Sequence, residues 1–136
     1  MKERVLVLCT HNSARSQMAE GFLRQLAGDR YEVVSAGTEK TEVRREAIES
    51  MRRHGIDISG QASKTLDGFI EQPWDYVITV CDQANESCPF FPGARHRLHW
   101  SFDDPSRVQG PERQKAFDQT ADAIEDRLKA WLSSSH

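Results

Sequence analysis

Two stretches of this chain are apolar at nearly every position, Val5-Leu6-Val7-Leu8 and Tyr76-Val77-Ile78-Thr79-Val80. A strand with one wet face alternates apolar and polar side chains, and these runs do not. They read as strands covered on both faces, the pattern of a parallel sheet with layers above and below. Residues 31–36 supply a further strand and residues 97–100 a short fourth. Helical patterns fall between and after them. Residues 16–27 carry Ala19, Phe22, Leu23 and Leu26 on one face, with Gly28 as the expected C-terminal cap. Residues 44–54 carry Ala47, Ile48 and Met51 and run into Gly55. Near the end, Phe117, Ala121, Ile124, Leu128 and Trp131 step by 4, 3, 4 and 3, an apolar stripe whose plain reading is core packing. This alternation predicts an α/β fold, a three-layer sandwich around a four-stranded parallel sheet with right-handed crossovers and residues 1–136 as one domain. A chain of 136 residues buries roughly two-thirds of its unfolded surface and needs no disulfide staples.

Composition then narrows the function classes. No apolar run approaches the ~18 residues of a bilayer span, so membrane insertion is excluded. Eighteen Lys and Arg against 21 Asp and Glu give a net charge of −3 with no basic cluster, so nucleic acid is not an expected partner. After Lys2 and Arg4 the apolar stretch is only Val5 to Leu8, too short for a secretory leader. A reducing cytoplasmic compartment is expected, where the three cysteines are catalytic, redox-active or metal-binding rather than structural bridges. A frayed end is expected at Ser133-Ser134-Ser135-His136.

Ligands of open α/β sheets sit beyond the carboxyl ends of the strands. Here the first strand runs into Cys9-Thr10-His11-Asn12-Ser13-Ala14-Arg15-Ser16 and the third into Cys81. A loop that wraps into a helix N-terminus aims several backbone N–H groups at one spot, and the helix dipole adds positive potential there. Residues 10–16 thus form a candidate cradle for a tetrahedral oxyanion. Arg15 adds a charged fork that binds two oxygens at once. The same field is expected to lower the Cys9 pKa and make it a thiolate, with Ser16 donating to the sulfur. Asn12 suits a left-handed backbone position. Singly, Cys9 would more often be a small buried hydrophobe and Arg15 a surface residue; jointly, between strand and helix, that reading loses ground. His11 should point outward as a rim residue, and His54 is a helix-end cation.

The stretch from Cys9 to Gly21 resembles the low-molecular-weight protein tyrosine phosphatase superfamily, and within it the thioredoxin-coupled arsenate reductases. Ser35-Ala36-Gly37, Gly55 to Ser59, Cys81 with Cys88, and Trp100-Ser101-Phe102-Asp103-Asp104-Pro105 resemble that branch in the same order, so the likeness spans nearly the whole chain. It implies a phosphatase-like fold, with Asp104 as the acid that protonates the leaving oxygen, its pKa raised by the anionic surroundings. Asp103 is adjacent, and its plainer role is a turn or cap acid. The resemblance also implies a relay. Cys9 attacks arsenate, Cys81 attacks the Cys9 sulfur as arsenite leaves, and Cys88 resolves the disulfide for thioredoxin to reduce. The residues themselves leave a rival open, because Cys81, Cys88, His96 and His99 are possible zinc ligands. They lack the Cys-x2-Cys knuckle, and no metal site is assigned.

Two departures from the family pattern matter. Some of these reductases bind potassium through residues matching Asn12, Glu20, Ser35 and an Asp. Lys64 occupies the Asp position here, so no potassium is expected and no tightly bound cofactor. Many members carry a cysteine where Ala14 stands, which leaves Cys9 to pair with Cys81. The expected partners are arsenate, phosphate or sulfate as competing oxyanions, and thioredoxin, with the protein a monomer. The alternatives are a phosphatase that hydrolyses phosphate monoesters through Cys9, Arg15 and Asp104 alone, and a non-enzymatic thiol sensor, which needs no leaving-group acid.

Overall fold

The computed structural model describes residues 2–81 and 91–134. Its elements run β1 (Glu3–Cys9), α1 (Arg15–Ala27), β2 (Tyr31–Gly37), α2 (Arg45–Arg53), β3 (Trp74–Thr79), β4 (Ala94–His99) and α3 (Arg113–Ser133), with 3-10 turns at Leu66–Gly68, Pro105–Arg107 and Gly110–Glu112. The four strands form one parallel sheet in the order β2-β1-β3-β4. The expected sheet is therefore present, with strand and helix limits moved by one to three residues. No helix among the described residues is long and apolar enough to cross a membrane.

The apolar runs behave as their lack of alternation requires. On β1, Val5 and Val7 pack into a large core with α1, α2 and α3, while Leu6 and Leu8 face the opposite side. Phe22, Met51, Phe117, Ile124 and Leu128 are buried in the first core. The second, smaller core gathers Leu66, Trp74, Val77 and Phe91. Among the described residues all three helices lie on one face, and a 3-10 turn with its flanks covers the other. Helix α1 is buried almost all round, Gln17 and Glu20 included, because it sits between the sheet and both other helices. Leu26 is 37% exposed, against the expected inward face. Gly28 does cap α1, but in a right-handed conformation, whereas Gly55 after α2 takes φ +75°.

The strand order fixes the site. The chain steps from β1 to β2 on one side and returns past β1 to β3 on the other, so the connections leaving β1 and β3 part company. The crevice at that divergence lies between the last residues of β1 and β3, which pair as Leu8 with Thr79. Cys9 ends β1 just past that pair, and Cys81 comes two residues after Thr79.

Candidate active site

Residues 10–14 form a loop whose carbonyl groups are claimed from outside, one after another. Thr10 O accepts from Glu39 N (2.9 Å) and Thr38 Oγ1 (3.1 Å), and His11 O from Thr41 Oγ1 (2.8 Å) and Ser63 Oγ (3.2 Å). Asn12 O accepts from Gln17 Nε2 (3.0 Å), Ser13 O from Arg44 N (2.9 Å) and Ala14 O from Met18 N (2.8 Å). In a trans peptide the N–H lies opposite the C=O, so five carbonyls held outward turn the amides of residues 11–15 inward. The loop becomes a ring of donors around the space in front of Cys9, the field an oxyanion needs.

Asn12 is the keystone. It is fully buried at φ 49°, the left-handed conformation expected of it. Its Nδ2 donates to Ser16 Oγ (2.9 Å) and Ser35 Oγ (3.0 Å), and its Oδ1 accepts from Gln17 Nε2 (2.9 Å) and Lys64 N (2.8 Å). The Ser16 hydroxyl is thus engaged by Asn12, not by the Cys9 sulfur as predicted. Gly37 at the end of β2 backs the loop, and a Cβ there would stand 2.7 Å from Thr10 O and 2.8 Å from both Asn12 N and Cys9 O.

Arg15 is the first residue of α1 and is mostly buried. Its Nη1 donates to Phe102 O (2.9 Å), and its Nη2 stands 3.6 Å from Asp104 Oδ2. Asp104 caps the Pro105–Arg107 turn, its Oδ1 accepting from Ser106 N (3.0 Å) and Ser106 Oγ (2.6 Å). The capping role thus falls to Asp104, while Asp103 is exposed. Burial raises the Asp104 pKa, but the Ser106 hydrogen bonds and Arg15 outweigh it, and the carboxyl lies below its ordinary range. The predicted upward shift is not found, because the neighbours facing this carboxyl are donors and cations.

Cys9 and Cys81 are both buried, and Cys81 is the neighbour that bears most on the Cys9 thiol. Val80 N donates to Leu8 O (2.9 Å) and Trp100 N to Thr79 O (2.8 Å), which ties the chain just before Cys81 to β1 and to the residue after β4; Thr10 Oγ1 lies 3.4 Å from the Cys81 sulfur. The low pKa predicted for Cys9 is not found in this arrangement. Cys81 and then burial push the thiol well above its ordinary value, against the pull of Arg15 and the Thr10 amide. Above the pair lies a polar cavity of about 170 Å³ walled in part by Thr10, His11, Arg15, Cys81, Asp104 and Arg107. A recess beside it, lined by Cys9, shares His11, Arg15 and Asp104. His11 faces outward, its Nδ1 3.0 Å from Glu39 Oε2. Cys88 lies outside the described residues. Of the other zinc candidates, His96 stacks on Tyr76 and His99 Nδ1 meets Thr79 Oγ1 at 2.8 Å.

A buried cysteine at the strand end, a ring of inward amides, an arginine at the helix start and an aspartate across the gap match one family. The family model described as low molecular weight phosphotyrosine protein phosphatase fits residues 4–135. The chain belongs to that family. Within the low-molecular-weight phosphatase family, it is 45% identical over 132 residues to an arsenate reductase of Bacillus subtilis, covering 96% of this chain and 95% of that one. A solved arsenate reductase in the phosphate binding state superposes with a TM-score of 0.84 at 30% identity, over 96% and 97% of the two chains. A thioredoxin-dependent arsenate reductase of Corynebacterium glutamicum gives 0.71 at 32% identity, over 98% of this chain and 64% of that one.

Several residues that shape this phosphatase-family site escaped the sequence reading. Ser106, directly after Asp104-Pro105, was signalled, because Asp followed by Pro at the first helical position is an N-cap pattern. Gln17 carried no signal, since a buried glutamine bonded to Asn12 and Ala62 looks like any polar helix residue.

Proposed function

We propose that this chain is an arsenate reductase, using Cys9, Cys81 and Cys88 in sequence with thioredoxin as reductant. The observation that carries the reading is a second buried cysteine, Cys81, beside Cys9, the two lining a cavity and a recess that share Arg15 and Asp104. Ester hydrolysis needs only one nucleophilic sulfur, whereas reduction needs a second within reach of the first. Cys9 passes its proton to the Asp104 carboxylate across the recess they share and, as thiolate, attacks As(V) held by the loop amides and Arg15; Asp104 then gives that proton to the oxygen that leaves as water. Cys81 as thiolate then attacks the Cys9 sulfur. A Cys9–Cys81 disulfide forms, the sulfur–arsenic bond breaks, and its two electrons stay on arsenic, which leaves as arsenite. Cys88 attacks Cys81, releasing Cys9 as thiolate, and the dithiol of thioredoxin reduces the resulting Cys81–Cys88 disulfide.

Phosphate and sulfate compete for the same ring of donors, and slow phosphatase activity accompanies arsenate reduction. The protein works as a single cytoplasmic domain and a monomer. Potassium has no part in it. Glu20 Oε1 accepts from Ser35 N (2.9 Å) and Ser35 Oγ (2.6 Å), its Oε2 pairs with Arg24 Nη2 (2.7 Å), and Lys64 Nζ stands 4.0 Å from Oε1. With two cations present and Asn12 Oδ1 committed to two donors, these residues do not fit a bound cation.

The test is NADPH consumption in the presence of thioredoxin, thioredoxin reductase and arsenate. Activity is expected in the wild type, none in Cys81→Ser, and about one turnover before stalling in Cys88→Ser. Full multiple-turnover activity of Cys88→Ser would refute the relay. Phosphate ester hydrolysis without any arsenate reduction would return the chain to the phosphatases.

A further inference from the structure

The acid loop and the oxyanion loop belong to different parts of the chain, and one side chain ties them together. Arg113, at the start of α3, donates through Nη1 to Ser106 O (2.7 Å) and Val108 O (3.2 Å), the carbonyls leaving the turn that Asp104 caps. Its Nε meets Glu46 Oε2 at 2.7 Å, and its guanidinium lies over the Phe117 ring at 5.4 Å. Both partners are about three-quarters buried, so this is not a loose surface pair. Glu46 stands in the first turn of α2, two residues after Arg44, whose N–H holds Ser13 O of the oxyanion loop. Contacts therefore run from Ser13 through α2 to Glu46, across Arg113 to Ser106, and from Ser106 to the Asp104 carboxylate. Arg15 closes the circuit from the other side through Phe102 O.

We infer that Arg113, braced by Glu46, is a positioning residue that holds Asp104 at its working distance from Cys9. The inference rests on Asp104 being the proton donor of the first step. Arg113 touches neither substrate nor the reacting atoms; it acts through the Ser106 and Val108 carbonyls. Both Ser106 donors to Asp104 belong to the residue whose carbonyl Arg113 fixes, so releasing the turn loosens those bonds as well. That moves the Asp104 pKa up toward its ordinary value.

The experiment mixes reduced protein with arsenate, without thioredoxin, and follows the loss of free thiols across pH. Arg113→Ala should lower the plateau rate roughly 10- to 100-fold, the scale expected when a proton donor is misplaced by about 1 Å. Arsenate half-saturation should change by less than about twofold, and the acidic limb of the profile, where Asp104 titrates, should move to higher pH. Arg113→Lys keeps the charge opposite Glu46 but cannot reach both carbonyls, and gives a smaller loss with the same limb movement. Glu46→Gln, which still accepts from Nε, keeps most of the rate. A fall that tracks the folded fraction with the limb unmoved would make Arg113 merely structural and overturn the inference. If Arg113→Ala does not fold, the limb movement of Arg113→Lys decides in the same way. Asp104→Asn separates the premises: if it reacts at the wild-type rate, the proton-donor reading falls and this inference with it, whereas if it is slow and the Arg113 variants are not, the inference alone fails.

Discussion

Asn12→Ala tests whether the oxyanion loop is held from behind as described. The substitution removes four hydrogen bonds at a residue with no exposed surface. Their losses are unequal. Gln17 Nε2 keeps Asn12 O and Ala62 O as acceptors, so it suffers little. Lys64 N–H loses its acceptor, and the Ser16 and Ser35 oxygens each lose a donor, at about 1–3 kcal/mol for a fully unsatisfied buried group and less for a hydroxyl. Asn and Ala both carry a Cβ at φ 49°, so Ala adds only what Asn recovers there through its local polar contacts, under about 1 kcal/mol. The sum is a destabilisation of about 2–5 kcal/mol, a large part of the ~5–15 kcal/mol of a small domain. Asn12→Gly loses the same bonds without the steric penalty, partly offset by its freer unfolded chain, and should be about 1 kcal/mol more stable than Asn12→Ala. Urea unfolding followed by tryptophan fluorescence, with m-values compared, measures both. If Ala and Gly unfold within about 0.5 kcal/mol of wild type, the network does not hold the loop. Equal stability of the two variants would mean that the left-handed backbone is not being enforced.

Gly37→Ala should cost about 1–3 kcal/mol and weaken phosphate binding in calorimetry, because the new methyl meets three backbone atoms that have nowhere to go. Gly60→Ala, with open space around it, is the control, and equal behaviour of the two would contradict the packing argument. In a Cys88→Ser background, Cys81→Ala should lower the Cys9 pKa, since the Cys81 sulfur is the largest influence holding it up; the pH dependence of iodoacetamide alkylation reports this, and an unmoved midpoint would sink it. The Glu46 carboxyl is held below its ordinary range, chiefly by the hydrogen bond from Arg113. Its stabilisation is therefore complete above the ordinary carboxyl pKa and disappears as the pH falls through the lowered folded value. The stability gap between wild type and Glu46→Gln should close over that acidic window, and a pH-independent gap would exclude an ionic contribution.

The sheet and the position of the nucleophile were legible because they follow from local patterns. Apolar runs without alternation announce strands buried on both faces, and a Cys-x5-Arg after such a strand leaves few other readings. What failed concerned neighbours brought from far away. Nothing near Cys9 in sequence announces that Cys81 will stand beside it, and that neighbour overrules the positive field inferred from Arg15 and the helix start. Asp104 fails in the same way, since its pKa answers to Ser106 and Arg15 in a manner its own motif does not encode. Leu26 satisfied the helical period, but the burial of α1 is decided by where α2 and α3 pack. Arg113 and Glu46 read as ordinary surface charges until two helices and a turn converge on them.

The carbonyls of residues 10–14 are held by partners as near as Gln17 and Met18 and as far along the chain as Ser63, while Arg15 is held by Phe102. A cradle assembled from contacts this remote pays its loop-closure entropy late, so it is among the last parts of the molecule to form and among the first to loosen. Oxyanion affinity is therefore a gauge of global folding. A tetrahedral anion in excess should stiffen the whole chain, protecting amides in α2 and in the 105–108 turn from hydrogen exchange although it touches neither.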